Sequence, residues 1–210
     1  MVHISLEGID GSGKTTQANL IFERLNHENI DVTLYQYTSK LNKWGSIINK
    51  LDNSPYKMIS GISKNAYSRE FLYAMSARAN YNNVRSLVNN TNMLLSDRSL
   101  ITAYASHINE LPLWFMNLLE TEPVPNIAIY LDMPPSKAFE RIRYRSPKHD
   151  ETLDALNVFR DNYEKIMADK PNKLKNIQFL RVNADCNLET VSNQIYSIVR
   201  NTFMEKSYGT

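Results

Sequence analysis

Residues 8 to 15 read Gly8-Ile9-Asp10-Gly11-Ser12-Gly13-Lys14-Thr15. They fill the pattern G-x-x-x-x-G-K-[ST] in full, and the pattern has a chemical meaning. Glycines let the backbone take unusual torsions and approach a phosphate chain closely. The backbone N–H groups then point inward as a cradle, and the N-terminus of a following helix adds positive potential. A lysine at position 14 reaches terminal phosphates. A threonine hydroxyl at position 15 suits Mg²⁺, an ion that takes its remaining ligands from phosphate and water. Three of the six glycines in the chain lie in this loop, so a chance glycine turn is a poor explanation.

A second chemical pair follows the apolar run Met93-Leu94-Leu95-Ser96. There Asp97 can hold Mg²⁺ directly or through water, and Arg98 can grip a phosphate with two hydrogen bonds, which lysine cannot copy. Asp10, inside the loop, has three readings. It binds an acceptor hydroxyl, supports the metal, or caps the helix that follows.

Groups so far apart in sequence need a scaffold. Ile4-Ser5-Leu6 reads as a buried strand entering the glycine loop, and a helix is predicted from Thr15 to about Asn26. Further strands are predicted at 31–37, 93–96, 127–131 and 177–182. Helices are predicted at 111–120, 136–145, 152–167 and 188–203, and the stretch 41–90 reads as mostly helical, broken near Pro55 and Gly61. Strands separated by helices imply parallel pairing with right-handed crossovers. The expected fold is α/β: a three-layer α/β/α arrangement around a five-stranded parallel sheet, in a single domain over residues 1–210. In such sheets ligands bind beyond the carboxyl ends of the strands, where both chemical motifs fall.

Composition narrows the field. The formal net charge is +2, which demands neither a nucleic-acid polymer nor a membrane as partner. One cysteine, Cys186, excludes an intramolecular disulfide and a cysteine-based metal site. The chain enters a strand directly after Met1, with no signal peptide and no long apolar span in view, so the expected location is cytoplasmic.

Taken together, Leu6-Glu7-Gly8-Ile9-Asp10-Gly11-Ser12-Gly13-Lys14-Thr15-Thr16-Gln17 closely resembles the phosphate loop of thymidylate kinases. Asp97-Arg98 resembles that family's Asp-Arg motif after the third strand. Tyr130 to Pro135, then Glu140-Arg141-Ile142-Arg143, resembles its fourth strand and the helix entering the lid. Phe159 to Tyr163 resembles the end of the lid helix, and Asn183-Ala184-Asp185 the loop that receives adenine. The resemblance spans residues 2 to about 200.

It implies a P-loop kinase fold with a lid at about 143–151, and γ-phosphoryl transfer from ATP, with Mg²⁺, to a nucleoside monophosphate, dTMP first. ATP would be held by Gly8, Gly11, Ser12, Gly13, Lys14, Thr15, Thr16 and Ala184, and the metal by Thr15 and Asp97. The acceptor would meet Asp10, Lys40, Tyr73, Arg78, Arg98 and Thr102. Lys14, Asp10, Asp97, Arg98, Arg143 and Arg145 would act on the transferring group. The partners implied are nucleotides, and a homodimer is left open.

The chain also departs from the family pattern. The aromatic that stacks on thymine lies four residues before the base-reading arginine, and here that place is Ala74. A stacked ring is worth about 1–3 kcal/mol per base, so Tyr73, Phe71 or Tyr81 would have to substitute. Ser99 stands where an aromatic commonly follows Asp-Arg. The lid loop lacks the family's Asp-Arg pair, which leaves Arg143, Arg145 or Lys148 as its cations. Three alternatives remain open: a kinase of another phosphorylated metabolite, a nucleoside kinase, and a non-catalytic nucleotide-binding protein. Residues 35–41 contain no carboxylate to deprotonate a sugar hydroxyl, which weighs against the nucleoside kinase.

Overall fold

The structure is a computed structural model, and it describes residues 1–37, 46–47, 71–72, 75–76, 78–79, 81–82, 91–106, 122–144 and 152–208. The expected helix at 111–120, the breaks at Pro55 and Gly61, and the residues Lys40, Tyr73, Ala74, Arg145 and Lys148 lie outside these. The described residues between 46 and 82 are all helical, as the sequence suggests.

Five strands form one sheet: β1 (Val2–Glu7), β2 (Val32–Gln36), β3 (Met93–Asp97), β4 (Ile127–Asp132) and β5 (Gln178–Asn183). All pairings are parallel, in the order β2-β3-β1-β4-β5. The helices are α1 (Lys14–His27), α2 (Leu100–Ser106), α3 (Pro135–Arg143), α4 (Leu153–Ala168) and α5 (Leu188–Tyr208). Helix α2 and a 3₁₀ turn at Asn172–Leu174 were not expected from the sequence; the other elements fall within a few residues of expectation.

Local chemistry sets the helix ends. Pro135 opens α3, where a missing N–H costs nothing and φ is already helical. Thr152 caps α4 by accepting the Ala155 N–H at 3.1 Å. Helix α1 begins differently: its N-cap is Gly13, at φ 96°, and no side chain caps it.

Each strand presents alternate residues to opposite faces. On one face Val2, Ile4, Leu6, Met93, Leu95, Ile127, Ile129 and Leu131 pack against α1 and α5, through Ala18, Ile21, Leu25, Val191, Ile195 and Val199. On the other, Ala128 and Tyr130 pack against Leu100, Ile101 and Tyr104 of α2 and Tyr163 and Ile166 of α4. This is the α/β/α layering, with helices on both sides of the sheet. The β1–β3 register sets Leu6 opposite Asp97. The loop that leaves β1 therefore lies beside the Asp97-Arg98 turn that leaves β3.

Candidate active site

The glycine loop has the geometry its spelling demands. Gly8, Gly11 and Gly13 all have positive φ, at 139°, 84° and 96°. A β-carbon at Gly11 would also meet the Ala138 carbonyl oxygen at 2.5 Å, so the loop and α3 can pack only with glycine there. The N-cap residue of α1, Gly13, supplies no side-chain acceptor to the first N–H groups, and a helix N-terminus capped in this way can receive an anion.

Lys14 is buried and lies back along the loop. Its Nζ donates to the Ile9 carbonyl oxygen at 2.6 Å and to Ser12 Oγ at 3.3 Å. Burial, aided by the nearby Arg98 charge, lowers its pKa to about 7. Thr15 Oγ1 donates to Asp97 Oδ2 at 2.6 Å, an 82-residue separation closed by the sheet register. The other carboxylate oxygen, Asp97 Oδ1, is buried without a hydrogen-bond partner among the described residues. A hydroxyl beside a carboxylate with one unpartnered oxygen is a donor set that fits Mg²⁺, with phosphate and water completing its shell.

Arg98 sits at φ 71°, in the left-handed region that non-glycine residues rarely adopt. Its N–H donates to the Leu6 carbonyl at 3.1 Å, and its guanidinium to the Gly8 carbonyl at 3.4 Å and to the Asp10 carboxylate. Burial works against its charge, but Asp10, Asp97 and Glu7 hold it charged, above its ordinary value.

Glu7, absent from the predicted set, lies fully buried at the centre. It accepts hydrogen bonds from Ser99, Thr102 and Tyr163. Burial raises its pKa, and these hydroxyls and Arg98 pull it back. A carboxylate at the end of a strand buried on both faces is the signal that could have found it.

The structure thus brings together Asp10, Lys14, Thr15, Asp97, Arg98 and Thr102. Arg143 is exposed at the end of α3 and donates to its neighbour Tyr144 at 3.1 Å. Ala184 is buried at the end of β5, its N–H donating to the Asp132 carbonyl oxygen at 2.9 Å. Next to it, Asp185 pairs with Lys137 at 2.6 Å. Arg78 is half-buried, and its charge acts on Glu122, whose carboxyl is pushed up to about 7 by burial. Of the rings able to replace the missing stacking aromatic, Tyr81 packs edge-on against Tyr35 at 6.0 Å, while Phe71 is exposed.

A family model described as thymidylate kinase matches residues 6–195. The chain belongs to the thymidylate kinase family. It is similar to a probable thymidylate kinase of Pyrococcus abyssi, 30% identical over 96% of this chain and 97% of the relative. It is also similar to one of Sulfolobus acidocaldarius, 29% identical over 95% and 96%. A thymidylate kinase of Plasmodium falciparum is 26% identical over 74% of this chain and 73% of its own length. As a family member the chain is a nucleoside monophosphate kinase, a phosphotransferase. Among the described residues, no helix is long and apolar enough to cross a membrane.

Proposed function

We propose that this thymidylate kinase family member transfers the γ-phosphoryl group of ATP to dTMP, giving dTDP and ADP. The observation that carries this reading is the convergence of the phosphate loop, the Thr15–Asp97 pair and the half-buried Arg98 at adjoining strand ends. Lys14 and the loop N–H groups would receive the triphosphate, and the Arg98 guanidinium beside them would receive a second phosphate.

In this reading the backbone N–H groups of Gly11, Ser12, Gly13, Lys14, Thr15 and Thr16 cradle the ATP phosphates, and Gly8 admits them. Lys14 swings from Ile9 onto the terminal phosphates, whose negative charge favours its ammonium form. Ala184 borders the adenine. Thr15 and Asp97 would hold Mg²⁺, which when bound neutralises charge on the phosphate oxygens. Arg98 leaves Asp10 for the acceptor phosphate, and Asp10 is then free to accept from the sugar hydroxyl. Lys40, Tyr73, Arg78 and Thr102 complete the acceptor side. Arg143 and Arg145 supply the lid's positive charge, which a loose phosphoryl-transfer transition state requires. The lid, residues 143–151 of a single domain, closes to exclude water. The enzyme works in the cytoplasm on free nucleotides, with a homodimer compatible with this scheme.

A coupled ADP-release screen against all nucleoside monophosphates, with nucleosides as controls, tests the reading. The expected result is ADP release dependent on dTMP above other acceptors. Release with a different phosphorylated compound and none with dTMP would overturn the acceptor. Release with no acceptor would make the protein an ATPase.

A further inference from the structure

Glu7 has no task in that reaction, yet its carboxylate is buried and hydrogen-bonded at the centre of the site. It ends β1 and immediately precedes Gly8, and it has no solvent exposure. One carboxylate oxygen accepts from Ser99 Oγ at 2.6 Å. The other accepts from Thr102 Oγ1 at 2.9 Å and from the Tyr163 hydroxyl at 3.1 Å. One side chain therefore joins the strand entering the phosphate loop, the start of α2, and α4.

Ser99 links this cluster to the chemistry. It directly follows Arg98, and its Oγ also accepts the Ile101 N–H at 3.2 Å, which caps α2. Arg98 holds its left-handed backbone only because its surroundings over-determine it. On one side the pins are the Leu6 and Gly8 carbonyls and Asp10. On the other side the pin is the Ser99 bond to Glu7. The Arg98 turn is thus fastened from both ends to one short segment, residues 6–10.

We propose that Glu7 is a positioning residue for the acceptor. By anchoring Ser99 and Thr102 it holds the strained Arg98 turn so that the guanidinium faces the acceptor phosphate. Tyr163 ties the same carboxylate to α4. The proposal rests on the reading of Arg98 as the acceptor-phosphate grip. A carboxylate that only supported the fold would affect both substrates alike, or neither.

The test uses the full chain and the variants Glu7→Gln, Ser99→Ala and Tyr163→Phe. The first two are expected to raise the KM for dTMP about tenfold, leaving that for ATP within about twofold. Tyr163→Phe moves it less. Adding Ser99→Ala to Glu7→Gln adds little, because both break one link. In the ligand-free protein the Arg98 Nε–H resonance, assigned by its loss in Arg98→Lys, shifts or broadens in Glu7→Gln. The proposal is overturned if the two KM values rise together, or if neither moves while Tm falls. An Arg98 resonance unchanged in both Glu7→Gln and Ser99→Ala overturns it as well. A wild-type enzyme inactive on dTMP would refute the proposed acceptor instead, and the resonance would still decide the role of Glu7.

Discussion

The two faces of the sheet are built on different principles. The face toward α1 and α5 is apolar at every buried strand position, from Val2, Ile4 and Leu6 through Met93 and Leu95 to Ile127, Ile129 and Leu131. The face toward α2 and α4 carries His3, Ser5 and Glu7 on β1 and Ser96 on β3, all buried. Parallel strands covered on both sides ordinarily read as continuous apolar runs. Here β1 reads Val-His-Ile-Ser-Leu-Glu, and every departure falls on the same face. His3 Nε2 and Ser96 Oγ meet at 2.9 Å across β1 and β3. The seam ends at Glu7, at the mouth of the phosphate loop. The two faces divide the labour: one supplies cohesion, and the other gives up apolar packing to place polar groups under the site.

Truncating each face, with stability and kinetics read separately, tells the two roles apart. Leu95→Ala, on the apolar face, is expected to cost about 2–5 kcal/mol of unfolding free energy through lost transfer and a residual cavity. Both KM values of the remaining folded enzyme should stay near wild type. A large KM change with little loss of stability, measured by urea denaturation beside steady-state kinetics, would erase the distinction.

Lys14→Ala should do the opposite. It is expected to lower kcat on the order of 10²-fold or more, about 3 kcal/mol in the transition state, with a denaturation midpoint close to wild type. Near-normal turnover in a folded variant would remove the phosphate-loop assignment.

His3 sharpens the comparison through pH. Burial pushes its imidazole down to about 4, from an ordinary value of 6.5. Between these values the unfolded chain takes up a proton that the folded chain refuses. Stability therefore falls as pH drops from about 6.5 toward 4, by on the order of 2–3 kcal/mol. His3→Asn should flatten that part of the profile, measured as urea midpoints from pH 7 to 4.5. An unchanged slope would mean that His3 does not carry the acid sensitivity.

The smallest expected effect concerns the guanidinium fork. Arg98→Lys keeps the charge but not the two parallel donors, so it should resemble Arg98→Ala, with the dTMP KM raised about tenfold. Full rescue by lysine, read by initial rates, would make Arg98 a simple point charge.

How much of this was legible in the sequence depends on distance along the chain. The phosphate loop is contiguous, and its chemistry could be read from its spelling. The strands were legible because their apolar runs are short and bounded by turn residues. Helix α2 was missed because its seven residues include β-branched and aromatic side chains; its one clear signal was Ser99 at the cap. The departures on β1 could be read, but not their partners. Ser99, Thr102 and Tyr163 lie 92, 95 and 156 residues from Glu7, and only the parallel register and the α4 packing bring them in. The Arg98–Asp10 pair, 88 residues apart, was hidden for the same reason. Each was singled out for a substrate; that they hold each other in the free protein is visible only in three dimensions.

In this enzyme the polar face and the phosphate loop together present Arg98 to an acceptor phosphate. A crystal structure with Mg²⁺, dTMP and a non-hydrolysable ATP analogue tests it most directly. In that complex Arg98 is expected to have released Asp10 and to make two hydrogen bonds to the dTMP phosphate, with Glu7 still bound to Ser99. A dTMP phosphate seated elsewhere, with the Arg98–Asp10 pair intact, would contradict it.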